Sequence, residues 1–415
     1  MPRCLAAVLL LAGVATEAPA QNEPTDPYVV KAQALHQTML SLDAHTDIPE
    51  DFASDQMDPG SETRSLIDLP KMDRGGLSGA VFAVFVAQAS RTPEAYQDAH
   101  EQGQQKLDAI WRMTEQYPER ITVATTPAQI RELHNGGSHF AVIGMLNGFP
   151  LGPDAEHLKY YHQRGLRQLG FTHAGHNALA DSSRPRDRLG DKESEHGGLS
   201  PLGRAVIPRL NDLGIIVDVS QLTPAGVRQA VELSQTPVIA SHSGISALIE
   251  HPRNLSDEEM KLIADRGGVV CLVAFGGYLI DVGMDFGAEM EKLQAQFGVS
   301  KRSEVAALPE AERQAYQTAL ITLLRRLPKA SVAQYVDAID YAVKLIGVEH
   351  VGISTDFNHG GGLAEWKNAG DSYLVTAELL RRGYSEEDIA RIWGGNWLRV
   401  FDAVTQFAQR TAASN

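Results

Sequence analysis

The chain has 415 residues, with 37 Lys+Arg against 52 Asp+Glu, a formal charge of −15 and a sequence pI near 5.4. That balance excludes an electrostatic nucleic-acid binder, because phosphate affinity needs clustered basic side chains. With 43% apolar, 21% charged and 7% aromatic residues, disordered and collagen-like classes are excluded as well, leaving a globular protein able to bury a large core.

At the N-terminus, Arg3 precedes the apolar run Leu5 to Val14, and Ala18-Pro19-Ala20 places small residues before Gln21. Residues 1–20 therefore read as a cleaved export signal; the apolar run is far below the ~20 residues a membrane helix needs. No later segment is long and uncharged enough to span a bilayer. The expectation is a signal over 1–20 and a single domain over 21–415, exported to the periplasm or secreted. Loss of Cys4 with the signal leaves Cys271 alone and rules out an intrachain disulfide.

From residue 39 onward, short apolar runs alternate with helical stretches, the pattern of parallel βαβ units. The runs are Met39 to Ala44, Ser78 to Ala87, His139 to Leu146, Gly165 to Thr172, Gly214 to Val219, Pro237 to Ala240, Gly268 to Phe275 and His350 to Thr355. Thr126-Pro127 and Ser200-Pro201 read as helix starts, a capping hydroxyl followed by proline at the first helical position, and Gly214 ends the second helix. Eight strands with helices between them predict a (β/α)8 TIM barrel. A doubly wound sheet fits less well, since no glycine-rich phosphate turn follows the first strand. The widest gap, Gly276 to Glu349, predicts an enlarged helical loop at about 280–335 with helices over Asp285 to Phe297 and Leu308 to Leu327. Met290, Leu293 and Phe297 form a packing stripe there, a candidate dimer contact.

Polar residues gather at the ends of these runs: Asp43-Ala44-His45-Thr46-Asp47, Asn147-Gly148, His173, Asp218-Val219-Ser220-Gln221, Ser241-His242-Ser243 and Asp356. In a barrel the carboxyl ends of the strands converge on one pocket, so these distant residues become neighbours. His45 and Asp47, two apart on a strand, point to one side and suit a strand-borne pair of metal ligands. Imidazole with carboxylates favours a borderline divalent ion, zinc by default. Asp356 is placed to touch the metal and to accept a proton from water whose acidity the cation raises. His134, His157, His162, His176, His196 and His359 read as solvated residues of loops or polar helix faces. Asp181 to Arg188 reads as a charged barrel-mouth loop and not as an anion site.

Seven segments in order, Ser41-Leu42-Asp43-Ala44-His45-Thr46-Asp47, Gly170-Phe171-Thr172-His173 with Asn177, Gly198-Leu199-Ser200-Pro201-Leu202-Gly203 followed by Val217-Asp218-Val219-Ser220, Ala240-Ser241-His242-Ser243, Pro252-Arg253-Asn254-Leu255, Gly352-Ile353-Ser354-Thr355-Asp356-Phe357 and Gly394-Gly395-Asn396, resemble the membrane dipeptidase (renal dipeptidase) family. The resemblance runs from about residue 35 to about 405. It implies a (β/α)8 metal-dependent dipeptidase, commonly dimeric, with two zinc ions. By position it implies that His45, Asp47 and Asp356 hold the first metal and His242 the second, that His173 faces the oxyanion, and that Arg253 grips a substrate carboxylate. Tyr278 and Asn177 fall at substrate-binding positions.

Two positions depart from the family pattern. Asn147 stands where the family has a bridging glutamate, and Gln221 where it has a second-site histidine. A neutral amide is a poor bridge, so the expectation is one firmly bound ion and a weak or absent second near His242. The Asn/Gln pattern resembles a divergent exported bacterial subgroup, some members of which are linked to maturation of peptide siderophores. The expected activity is hydrolysis of small dipeptides or related amides with a free C-terminal carboxylate. The alternatives are a periplasmic binding or maturation factor for a peptide-derived ligand such as a siderophore precursor, or hydrolysis of another amide or lactam.

Overall fold

The computed structural model describes residues 26–49, 51–283, 286–300, 302–326 and 328–414; the expected signal, residues 1–20, lies outside them. Among the described residues ten strands form: β1 (Leu42–Asp47), β2 (Gly79–Phe85), β3 (Ile121–Val123), β4 (His139–Leu146), β5 (Leu166–Gly170), β6 (Ile216–Asp218), β7 (Ile239–Ile245), β8 (Asn254–Leu255), β9 (Val269–Val273) and β10 (Val351–Ser354). Eight run in the order β1-β2-β4-β5-β6-β7-β9-β10, every pair parallel. The seam between β10 and β1 is stitched by residues just beyond the end of β10. Asp356 N–H donates to His45 O and Asp47 N–H to Phe357 O, both at 3.0 Å. The buried Asp43 carboxylate accepts from Thr355 N–H at 2.9 Å and from the Thr355 hydroxyl. The ring is the (β/α)8 barrel that the alternating pattern predicts.

Each of the eight apolar runs overlaps one barrel strand, with β1 and β7 extending past the ends of theirs. The two additions, β3 beside the first half of β4 and β8 beside the end of β7, have three and two residues, too short for periodicity to register. Side-chain parity divides the core as a barrel requires. Val81, Phe140, Val142, Val269 and Cys271 share one cluster with Trp397 and Phe401 of the C-terminal helix Asn396–Ser414, which plugs the barrel from its amino end. Their chain neighbours Ala80, Phe82, Ala141, Ile143, Val270 and Leu272 face the surrounding helices. The helix starts also hold: Thr126 accepts from Gln129 N–H, Ser200 accepts from Gly203 N–H, and Gly214 ends its helix at φ 70°.

Between β9 and β10 the helices Phe286–Gln296, Arg302–Ala307 and Glu310–Arg326 build the enlarged loop. Leu293 packs with Val299, Tyr316 and Leu323, and Met290 and Phe297 lie against them. The stripe is spent inside the insertion and is not the free face that a dimer contact needs. Among the described residues, no helix is long and apolar enough to cross a membrane.

The first helix, Pro27–His36, is anchored by a buried histidine. His36 Nε2 lies 2.7 Å from Thr376 Oγ1, and its ring meets Trp393 edge-on at 5.0 Å. Burial pulls its pKa from 6.5 to about 4. The unfolded chain takes up a proton that the folded chain refuses, so stability is full above pH 6.5 and is lost as pH falls toward 4. The loss is about 3 kcal/mol. Urea unfolding followed across this window is expected to show that slope in the wild type and a flatter one in His36→Gln.

Candidate metal centre

His45, Asp47 and Asp356 meet at the carboxyl mouth of the barrel, their ligand atoms all within 4.8 Å of one another. His45 Nε2 is 3.4 Å from Asp47 Oδ2 and 3.7 Å from Asp356 Oδ1, with all three side chains nearly enclosed. His45 Nε2 and Asp356 Oδ1 are buried without a hydrogen-bond partner among the described residues. Buried polar atoms left unpaired are costly, and a divalent cation satisfies both at once. Burial pushes the Asp356 carboxyl up, helped by the Asp47 charge. Burial works to lower the His45 pKa, but Asp47 and Asp356 outweigh it and the net shift is upward. Both shifts run toward the protonated forms, which a cation bound there would oppose. One imidazole and two carboxylates, two of their donor atoms unpaired, fit a bound divalent ion.

The neighbouring position is occupied by hydrogen bonds. The His45 ring stacks on His242 at 4.0 Å, and His242 Nε2 lies 3.1 Å from Gln221 Nε2. Arg184 can only donate, so its Nη2 contact of 2.8 Å fixes the Gln221 atom as Oε1. Gln221 Nε2 therefore donates to His242, whose proton sits on Nδ1 and goes to Ser241 Oγ at 2.7 Å, while Ser241 donates to Asp218 at 2.5 Å. The lone pair with which His242 would ligate a metal is taken. Asn147 is sealed as well: its Nδ2 donates to Val86 O at 2.9 Å, and its Oδ1 accepts from Asn177 Nδ2 at 2.9 Å. These residues do not fit a second ion.

Arg253 is buried and donates Nη2 to His242 O at 2.8 Å, with Nε and Nη1 unpartnered among the described residues. Its guanidinium carbon is 5.3 Å from the Tyr278 ring centre, so Tyr278 supports it through a cation–π contact. Asn177 is turned into the wall: both amide hydrogens go to Asn147 and Phe171, and its oxygen accepts from Leu179 and Ala180 N–H. All four of its hydrogen-bonding positions are engaged there, and they shape the loop. His173 lines the pocket, and its Nε2 lies 3.2 Å from Arg184 Nη2. Burial, helped by Arg184, holds its pKa well below the usual value, so the ring is neutral.

Two residues given bland readings belong to this pocket. His359 Nδ1 lies 3.1 Å from Asp47 Oδ2, and its ring stacks on His173 at 5.0 Å. Burial lowers its pKa, but the Asp47 charge and hydrogen bond more than reverse this and raise it to about 9. The usable signal was its place three residues after Asp356, within the same strand-end turn. Arg184 arrives from the Asp181–Arg188 segment, whose charge hid its direction. His176 also proves buried, with Nδ1 accepting from Ser182 N–H at 2.9 Å, so it organises that loop. Asn147, Gln221, Asp356 and Asn358 all have positive φ, 71°, 74°, 54° and 65°. Left-handed backbone at non-glycine positions is costly and concentrates where geometry serves a site.

Residues 29–415 match the family described as membrane dipeptidase (Peptidase family M19). Dipeptidase aclJ of Aspergillus oryzae is 28% identical over 354 residues, 83% of this chain and 72% of that protein. Dipeptidase verJ of Clonostachys rogersoniana is 24% identical over 401 residues, 93% of this chain and 89% of that protein. The crystal structure of the probable dipeptidase PvdM from Pseudomonas aeruginosa is similar at a TM-score of 0.82 and 38% identity, covering 93% of this chain and 100% of that one. A metallopeptidase from Rhodobacter sphaeroides, solved with a phosphinate mimic of the dipeptide L-Ala-D-Ala, shares the fold at a TM-score of 0.67 and 21% identity, over 88% and 99% of the two chains. The chain belongs to the membrane dipeptidase family.

Proposed function

We propose that the protein is an exported zinc-dependent dipeptidase, working with one firmly held ion on dipeptides or related small amides that carry a free C-terminal carboxylate. The observation that carries this reading is the buried triad His45, Asp47 and Asp356, with two of its donor atoms unpaired, in a chain of this family. A divalent ion held there supplies Lewis acidity, making water more acidic and a carbonyl more electrophilic. The chain supplies the rest. Arg253 has two nitrogens, Nε and Nη1, without a partner among the described residues, and their N–H groups can take a carboxylate and fix the amide's orientation. Asp356 accepts the proton of the attacking water and passes it to the leaving amine. The carbonyl oxygen turns toward the corner of the pocket that His173 lines.

The test is elemental analysis of purified protein followed by a dipeptide panel with and without added zinc. One tightly held equivalent and turnover on that equivalent are expected. Turnover that requires two equivalents would overturn the one-ion reading. A second reading, a binding or maturation factor for a peptide-derived ligand, draws on the hydrogen bonds that fill the second position. Its mark would be peptide binding without cleavage of any panel member when zinc is supplied.

A further inference from the structure

We propose that Arg184 is the group that meets the negative charge developing on the substrate's carbonyl oxygen, serving as a fixed cation where a second metal ion is lacking. The inference rests on the dipeptidase reading. Two routes lead from the triad to this side chain. His45 stacks on His242, which bonds to Gln221, whose Oε1 accepts from Arg184. Asp47 bonds to His359, which stacks on His173, whose Nε2 accepts from the same Arg184 nitrogen. The guanidinium thus stands across the pocket from the metal ligands, held by both walls.

His173 cannot take this role through Nε2 in the arrangement seen. Its Nε2 faces a donor that never accepts, so that nitrogen carries no proton to give. It is a positioning residue for Arg184. Nη2 uses its two N–H bonds on Gln221 and His173, while Nε is buried without a partner among the described residues. Uncommitted donors of permanent charge, already fixed in place, are what an oxyanion requires.

The backbone is fixed too. Arg184 O accepts from Gly175 N–H at 2.9 Å, Ser183 N–H donates to Gln221 O at 2.9 Å, and Arg184 N–H donates to Ser182 Oγ at 3.0 Å. The loop is therefore tied to both neighbouring strand ends, and little reorganisation accompanies charge development.

The experiment compares metal-loaded wild type, Arg184→Met and Arg184→Lys for hydrolysis of L-Ala-D-Ala and for calorimetric binding of its phosphinate mimic, whose tetrahedral anion copies the attacked carbonyl. Arg184→Met is expected to lose about 10²-fold in kcat and in phosphinate affinity, the scale of one oxyanion donor. KM should stay within about threefold, metal content should be unchanged, and Arg184→Lys should recover part of the loss. Unchanged phosphinate affinity in Arg184→Met, a loss confined to KM, or a loss seen only with dipeptides bearing an acidic side chain would each overturn the assignment. A wild type that neither cleaves the dipeptide nor binds the phosphinate would instead overturn the dipeptidase reading, and this inference with it.

Discussion

Asp356→Asn is expected to lower kcat/KM by about 10³-fold or more with zinc supplied, within the range that proton-transfer catalysis spans. That is roughly 4 kcal/mol of barrier. The substitution keeps the side-chain shape, and asparagine tolerates the positive φ of 54° found there. The Asp356 N–H bond to His45 O is a backbone bond and survives. The loss should therefore appear in turnover while the melting temperature stays near that of the wild type. Metal content measured on the same preparation separates a lost ligand from a lost proton carrier. Full hydrolysis by Asp356→Asn would falsify the mechanism.

Arg253→Met should act in opposite directions on stability and activity. The guanidinium is buried with one hydrogen bond to a main-chain oxygen and two unpaired nitrogens, and burial lowers its pKa. A buried charge without a counter-ion is destabilising, so an apolar side chain of similar length should leave the melting temperature equal or higher. Recognition should suffer. Two charge-assisted hydrogen bonds at about 1.5–3 kcal/mol each predict a fall of about 10²–10³-fold or more in kcat/KM for free dipeptides. C-terminally amidated dipeptides, already poor for the wild type, should change little. Equal losses on both substrate types would show that Arg253 does not read the carboxylate.

The barrel was legible because its strands are apolar runs that end at Gly, Pro or a polar cluster, and the helices between them carry cap signals. β7 shows the limit. Its second half, Ser241-His242-Ser243-Gly244, looks like a loop from composition, yet it pairs with β9 and continues to Ile245. The meeting of His45, Asp47 and Asp356 was legible for the same reason as the barrel: strand ends converge, so polar residues placed there must meet. The placement of Arg184 and His359 in the pocket was not legible. Each lies in a charged, turn-rich segment, where sequence gives no direction for a side chain, and their partners Gln221 and Asp47 are remote in the chain. Nor could a motif match show that all four hydrogen-bonding positions of Asn177 are taken within the wall.

The seam joining β1 to β10 has a consequence for the order in which the centre is made. Two of its ligands come from one edge of the ring and the third from the other, separated by almost the whole polypeptide, and the bonds that shut the ring are made by those ligands' own backbone. No fragment lacking the last strand can gather the triad. An ion gripped there spans the final gap like a rivet through both ends of a hoop, so that occupancy favours the closed ring over any opened form in proportion to how tightly the ion is held. Metal capture and ring closure would then be thermodynamically linked.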